Sequence, residues 1–265
     1  MLFSTFSNLH NVFCIYFENF LHLFRAAIFD HAADTKRLIL KHPVASLKAG
    51  QTLQTADNIY IEEGKFSGTE ITGNIFRQSR RYGLMLRTNN TLVEGNTFEN
   101  LGGAGIFLQN DPYDEGIGVK NLSITDNSFD NVGYMSGSKN APGGAAVSIN
   151  GRKSGGKADG YIHKNIIFSG NYFTGLNRAA VYADSVDGIS FEDTNTIFEN
   201  RNISANDAST IRLEKSRDIL LQGLHITDYR QNLSSALFIK NDCGEVSVSD
   251  NTFILNGADE IILEE

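Results

Sequence analysis

The residues with the clearest chemical potential are acidic side chains grouped in one short polar segment. Asp111, Asp114 and Glu115 follow directly after a short apolar run that is typical of a strand. Hydrolysis of a glycosidic bond usually needs two carboxyl groups, one that protonates the leaving oxygen and one that activates water or attacks the sugar. Carboxylates held close together raise the pKa of one of them, which suits the acid. Tyr113 lies between the acids and could stack on a sugar ring. The alternative is a solvated acidic turn that begins at Asp111.

Three further polar segments carry candidate binding residues beside predicted strands. Arg80 and Arg81 could bind sugar hydroxyls or an anionic group, and the alternative for them is surface pairing with nearby acids. His163 could move a proton or bind a hydroxyl, and the alternative is a hydrogen-bonded structural role. Tyr182 and Asp184 follow an apolar run, where either a site or a polar corner of the chain could lie.

Several other kinds of site have no motif in the sequence. It contains no pair of His four residues apart and no Asp-rich calcium loop, so we expect no metal and no cofactor. No Gly-rich phosphate loop and no Gly-x-Ser-x-Gly nucleophile turn is found. The net charge of −8, without a stripe of Lys and Arg, disfavours a nucleic-acid partner. The same charge favours a neutral glycan over a strongly anionic one.

The scaffold that must hold these residues is predicted by a recurring unit, an Asn followed two residues later by a Phe. Fixed spacing of this kind indicates a solenoid of stacked coils. The first interval is 22 residues, and we interpret the 44-residue interval from Asn127 to Asn171 as two coils. The units, one of them a variant with an extra residue, occupy residues 73–76, 95–98, 126–129, 170–173, 194–198 and 250–253.

The residues around each unit indicate the type of solenoid. Alternating apolar and polar residues before each Asn predict a strand with one buried face. The Asn can turn the chain and bond to its equivalent one coil away, and the Phe points inward. We therefore predict an all-β fold, a right-handed parallel β-helix with coils of about 22 residues, over residues 45–265 as one domain. Insertions at 110–119, 133–144 and 150–160 should gather on one face, which is commonly the binding face.

Residues 1–44 are predicted to form a separate N-terminal segment. Apolar residues spaced from Leu9 to Phe24 favour a short helix. Polar residues interrupt this stretch too often for a transmembrane span, and a convincing signal peptide is absent. The segment could be a capping helix or sequence translated before the real start. The alternative is a degenerate signal or a membrane-surface helix.

Several segments of the sequence, taken in order, resemble the β-helical α-1,3-galactosidases of glycoside hydrolase family 110 over about residues 64–200. The resemblance implies an exo-acting, metal-independent, inverting hydrolase that removes terminal α-1,3-linked galactose from a glycan. It also implies an extracellular or periplasmic location. The segments that carry it are residues 76–86, 93–98, 105–111, 115–116, 162–166 and 182–191.

The resemblance assigns roles to two acids and also shows two departures. It implies that Asp111 is part of the base machinery and that Glu115 is a site residue. Asn110 stands where the family often has a second acid, and Asn150 stands where another acid is expected. Two other functions stay open. One is a lyase or endo-hydrolase that acts on a charged glycan through Arg80, Arg81 and Lys164. The other is a non-catalytic or truncated glycan-binding solenoid.

Overall fold

A computed structural model describes residues 12–16, 26–27, 58–61, 67–110, 118–135, 145–153, 155–192, 197–200 and 209–263. The chain forms two compact units, Met1–Phe66 and Ser67–Glu265. In the described part of the first unit, three strands form an antiparallel sheet in the order β2-β1-β3. These strands are β1 (Val12–Tyr16), β2 (Ala26–Ala27) and β3 (Asn58–Ile61).

The predicted N-terminal helix is wrong for the part of it that the structure describes, because Val12–Tyr16 is a strand. This run consists of Val, Phe, Cys, Ile and Tyr, types that favour a strand over a helix. Pairing with β3 therefore outweighs the helical spacing of the apolar residues. Most of residues 1–44 lies outside the described residues, and the boundary after residue 44 stays a prediction.

Within the described residues of the second unit, three parallel sheets contain seven strands each, and each coil contributes one strand to each sheet. The first sheet contains β4 (Glu70–Thr72), β7 (Asn89–Glu94), β10 (Lys120–Thr125), β15 (His163–Ser169), β18 (Val186–Phe191), β21 (Arg217–Gln222) and β24 (Gly244–Ser249). The second sheet contains β5 (Ile75–Arg77), β8 (Thr97–Leu101), β11 (Ser128–Val132), β16 (Tyr172–Thr174), β19 (Ile197–Asn200), β22 (His225–Asp228) and β25 (Thr252–Leu255). The third sheet contains β6 (Leu84–Leu86), β9 (Ile106–Gln109), β12 (Val147–Asn150), β17 (Val181–Asp184), β20 (Ile211–Glu214), β23 (Ser235–Ile239) and β26 (Asp259–Leu263). A short antiparallel hairpin, β13 (Arg152–Lys153) and β14 (Gly156–Lys157), follows β12.

This arrangement confirms the predicted all-β parallel β-helix. It corrects the interpretation of the 44-residue interval, because the main-chain N–H of Asn127 donates directly to Asn171 Oδ1 over 3.1 Å. The two asparagines therefore belong to consecutive coils, and β10 pairs with β15. An interval of 44 residues fits either two coils or one coil that contains two insertions, and the spacing alone does not distinguish them.

The repeated Asn residues form the predicted ladder at the turn between the first and second sheets. Asn96 Oδ1 accepts from the main chain of Asn74, and Asn127 Oδ1 accepts from that of Asn96, each over 2.9 Å. The amide of Asn127 also donates to the Val93 carbonyl over 2.8 Å. Buried main-chain groups at the turn thereby find partners in the next coil.

The repeated Phe residues stack inside the coils as predicted. The rings of Phe76, Phe98, Phe129 and Phe173 are stacked in series, with centroids 4.7–5.0 Å apart. Apolar side chains from all three sheets join them in one continuous core. Burial of this core supplies the main driving force for stacking the coils.

Candidate functional site

The outward face of the third sheet departs from the usual alternation of buried and exposed residues. All four residues of β12 and all four of β17 are buried. The outward-pointing members of these strands are polar: Ser148 and Asn150 on β12, and Tyr182 and Asp184 on β17. Polar side chains buried on an outward face need partners and mark this face as the candidate site.

Two buried acids lie side by side at the ends of neighbouring strands on this face. Asp184 and Glu214 are register partners on β17 and β20, and their exposed fractions are 1% and 4%. The hydroxyl of Tyr182 donates to Asp184 Oδ2 over 3.1 Å and lies 3.5 Å from Glu214 Oε2. The main-chain N–H of Gly151 donates to the second oxygen of Asp184 over 2.8 Å. Both acids therefore converge on one phenol.

Two cations balance the acids. Lys157 Nζ donates to the Tyr182 hydroxyl over 2.9 Å, forms an ion pair with Glu214, and lies 3.6 Å from Asp184 Oδ2. Arg212 Nε donates to Glu214 Oε1 over 2.7 Å, and its guanidinium lies 4.0 Å from the centre of the Phe238 ring. These four charged side chains and Tyr182 are called the Asp184–Glu214 cluster below. Its formal charges cancel.

The surroundings set the protonation of two groups in the cluster. Burial raises the pKa of Glu214, but hydrogen bonds and charges from Lys157 and Arg212 outweigh it, so the pKa lies below its usual value. Burial and the neighbouring carboxylates raise the pKa of Tyr182, which therefore stays a hydrogen-bond donor. An ionised Glu214 can accept hydroxyl protons or orient water, but it does not suit the role of general acid at neutral pH.

A chain of contacts joins the cluster to the segment that precedes the predicted acidic loop. The amide of Asn110 donates to the Arg152 carbonyl over 2.8 Å, and the Arg152 N–H donates back to Asn110 Oδ1 over 2.7 Å. Arg152 is the strand partner of Lys157 in the hairpin. Lys157 in turn binds the Asp184–Glu214 cluster. The segment that leads into Asp111 is thus tied to the same outward face.

The four residues predicted in the acidic loop cannot be placed by the structure. Asp111, Tyr113, Asp114 and Glu115 lie outside the described residues. Their catalytic and binding roles stay predictions. Of the predicted site residues that the structure describes, Tyr182 and Asp184 lie together, within hydrogen-bonding distance.

Arg80 and Arg81 are not brought to the Asp184–Glu214 cluster. Both are exposed and lie on the turn that enters β6. Strand β6 is three strands away from β17 in the third sheet, which corresponds to roughly 14 Å along the stack. They also precede their strand, whereas Asp184 ends its own.

His163 is fully buried and is held by the main chain of two other segments. Its Nδ1 accepts the N–H of Val119 over 3.1 Å, and its Nε2 lies 3.0 Å from the Asn150 carbonyl. Because Nδ1 accepts, the proton belongs on Nε2, which donates to Asn150. The ring therefore links the start of β10 to the end of β12.

Sequence reasoning missed Lys157, Arg212 and Glu214. A signal for Glu214 was present, because residues 183–189 and 213–219 share an apolar residue, an acid and a final Ile in the same order. Asp187 and Arg217 are 30 residues apart, as are Asp184 and Glu214, and they are joined by a hydrogen bond. For Lys157 we find no comparable signal, because it lies in an inserted hairpin.

The described residues also bear on metals and membranes. No group of three or more His, Cys, Asp or Glu among them could hold a metal ion. In this part of the chain, no helix is long and apolar enough to cross a membrane.

Comparison with known proteins agrees with this architecture. The family model described as "Right handed beta helix region" matches residues 57–183. The fold is a right-handed parallel β-helix. Over 158 residues the chain is 30% identical to alpha-1,3-galactosidase A of Bacteroides thetaiotaomicron. The alignment covers 57% of this chain and 25% of that protein, so the chain spans about a quarter of the relative's length. The family resemblance seen in the sequence is thus confirmed as a partial and divergent one.

Proposed function

We propose that this protein is a glycan-active hydrolase that removes terminal α-linked galactose, with an α-1,3-galactosidase-like, inverting and metal-independent reaction. The sequence similarity to an enzyme named alpha-1,3-galactosidase A supports the reaction class. The observation that carries the proposal is the Asp184–Glu214 cluster, in which two buried acids and Tyr182 are balanced in charge by the partly exposed Lys157 and by Arg212. Such a surface suits the hydroxyls of a neutral sugar better than an anionic group.

The proposed roles divide between the acidic loop and the cluster. Asp111 takes a proton from water, whose oxygen bonds to the anomeric carbon from the face opposite the leaving group. The glycosidic bond breaks, and the leaving oxygen receives a proton from Glu115. Inversion requires the two carboxyl groups to lie roughly 6.5–9.5 Å apart, with the water between them. Tyr182 and Asp184 bind sugar hydroxyls.

The charge arrangement argues against the rival proposal of a charged glycan. Lys157 and Arg212 already bind Glu214, and Lys164 lies 3.6 Å from Asp187. At these positions a polyanion would have to compete with the carboxylates for the cations. The proposed neutral substrate makes no such demand. Arg80 and Arg81, the other cations of the rival proposal, lie away from the cluster, before β6.

The test compares Asp111→Asn and Glu115→Gln with the unaltered protein. Nitrophenyl α-galactoside and an α-1,3-linked galactose disaccharide are the substrates, and NMR identifies the anomer released first. We expect turnover to fall at least about a thousandfold in Asp111→Asn and the first product to be the β-anomer. Glu94→Gln, an exposed acid on β7, is the matched control and should retain full activity.

Three results would contradict the proposal. Unchanged turnover in Asp111→Asn would remove this residue from the reaction. Absorbance from unsaturated products on a uronate polymer would indicate a lyase. Binding on a glycan array without product release from any galactoside would indicate a binding protein.

A further inference from the structure

The side chain of Asn150 has a polar atom for which the fold supplies no partner. Asn150 ends β12, is fully buried, and is the register partner of Gln109 on β9. On its other side Ile149 pairs with Ala183, so the next residue, Asp184, lies in the same column as Asn150. Within the described part of the chain, Asn150 Oδ1 has no hydrogen-bond partner.

Rotating the Asn150 amide by 180° would not supply the missing hydrogen bond. The amide nitrogen of Asn150 donates to the Ser148 hydroxyl over 3.0 Å. If the amide were reversed, its oxygen would face the hydroxyl and the nitrogen would lose its acceptor. In either orientation, one buried polar atom of Asn150 lacks a partner.

Three donors on the same face of the sheet already have acceptors. The Gly151 N–H and the Tyr182 hydroxyl both donate to Asp184. The Lys157 ammonium is shared among Tyr182, Glu214 and Asp184. A buried acceptor without a donor costs free energy, and native proteins keep few of them. A donor from a bound molecule would remove this cost.

We infer that Asn150 is a sugar-binding residue whose amide oxygen accepts a hydroxyl of the sugar held beside Asp184. The inference deepens the proposed function and rests on it for the class of ligand. A neutral sugar fits because it offers hydroxyl donors without adding charge beside Asp184.

The test uses galactose as the probe and Asn150→Leu as the main variant, which keeps similar volume but removes both polar atoms. Binding is measured by calorimetry and stability by thermal unfolding, each without a turnover assay. We expect Asn150→Leu to unfold at or above the unaltered protein's temperature, because the unpartnered atom is gone. We expect galactose affinity to fall about tenfold. Asn127→Leu, in which a fully bonded buried Asn is lost, should show the reverse pattern.

The outcomes separate this inference from the proposed function. Asn150→Leu that binds galactose as tightly as the unaltered protein would overturn the inference, even if hydrolysis is confirmed. Loss of affinity in that variant would uphold it, even if no galactoside is cleaved. Absence of galactose binding by the unaltered protein would also overturn it. If Asn150→Leu does not fold, Asn150→Ala is measured against the same criteria.

Discussion

Two columns of side chains run along the same solenoid and behave in opposite ways. At the turn between the first and second sheets, Asn recurs at residues 74, 96, 127 and 171, with the same bonds at each step. At the ends of the third-sheet strands, the residue type changes with every coil. That column contains Gln109, Asn150, Asp184, Glu214 and Lys240.

The difference shows which part of a coil is scaffold and which part is free to serve a function. From Asn74 to Asn171 the ladder satisfies the same main-chain groups at each step, so one residue type recurs. In the coil of β22, Leu224 occupies this position, and its N–H donates to Asn251 Oδ1 over 2.8 Å. The third-sheet column meets a different neighbour in each coil, such as the hairpin that carries Lys157. A varied polar column that is buried at Asn150, Asp184 and Glu214 therefore marks the candidate site more clearly than any single motif.

The largest effect is expected when the ladder is broken. Asn127→Ala removes the acceptor of the Asn96 N–H and the donor to the Val93 carbonyl, both buried. We expect the free energy of unfolding in urea to fall by about 3 kcal/mol or more, because several buried groups lose their partners. On the first sheet, Asn121 donates to Asn90 Oδ1 over 2.7 Å and accepts from Asn165 over 2.9 Å, both at exposed positions. Asn121→Gly should therefore cost less than about 1 kcal/mol. Equal costs for the two would refute the distinction.

A smaller effect is expected at the hairpin that covers the varied column. Lys157→Met leaves Glu214 buried with Arg212 alone. Because the Lys157 side chain is 41% exposed and solvent screens its charge, we expect a loss of only about 1–2 kcal/mol at neutral pH. Lys153→Met, on the same hairpin, breaks an exposed pair with Asp159 and should leave the free energy of unfolding nearly unchanged.

The pH dependence of this loss gives a second check. Glu214 has a lowered pKa in the fold, so its contribution to stability is present above its usual pKa of 4.5 and is lost as pH falls through the folded value. In Lys157→Met the pKa of Glu214 should rise. Urea unfolding at several pH values should therefore show the greatest difference from the unaltered protein near neutrality. A difference that grows on acidification would contradict this account.

The smallest effect is expected on the exposed face of the first sheet. A hydrogen bond from Arg217 over 2.8 Å keeps the pKa of Asp187 below its usual value. Arg217→Gln should raise the pKa of Asp187, which is followed by NMR titration, and should change the free energy of unfolding little because the guanidinium is exposed to solvent. The Asp187–Arg217 interaction stabilises the fold at pH values above the usual pKa of Asp. This stabilisation is lost as the pH falls through the pKa of Asp187 in the folded protein. Lys164→Gln, whose ammonium lies 3.6 Å from Asp187, should raise the pKa less.

Much of the scaffold could be predicted from the sequence because the same residue types recur at the same turn of several coils. The Asn-x-Phe units predicted both the ladder at Asn96 and Asn127 and the stack that contains Phe129. The 44-residue interval was misread because a pattern of spacing does not distinguish a coil from an insertion. The strand at Val12–Tyr16 was missed because its strand-forming residues also fit a helical spacing.

The site was less predictable, since its partners come from separate coils. Tyr182 and Asp184 were singled out by their place after a strand. Lys157 was not, since nothing local to an inserted hairpin shows that it binds Glu214.

The amino-acid sequence by itself determined the repeating architecture, because several coils place an Asn at the same turn and a Phe on the strand that follows. Only the tertiary structure decided which outward residues share a site, because register places Asp184 beside Glu214 although they are far apart in the chain. It alone also revealed the unpartnered amide of Asn150, since a missing hydrogen bond is a property of surroundings and not of a residue type.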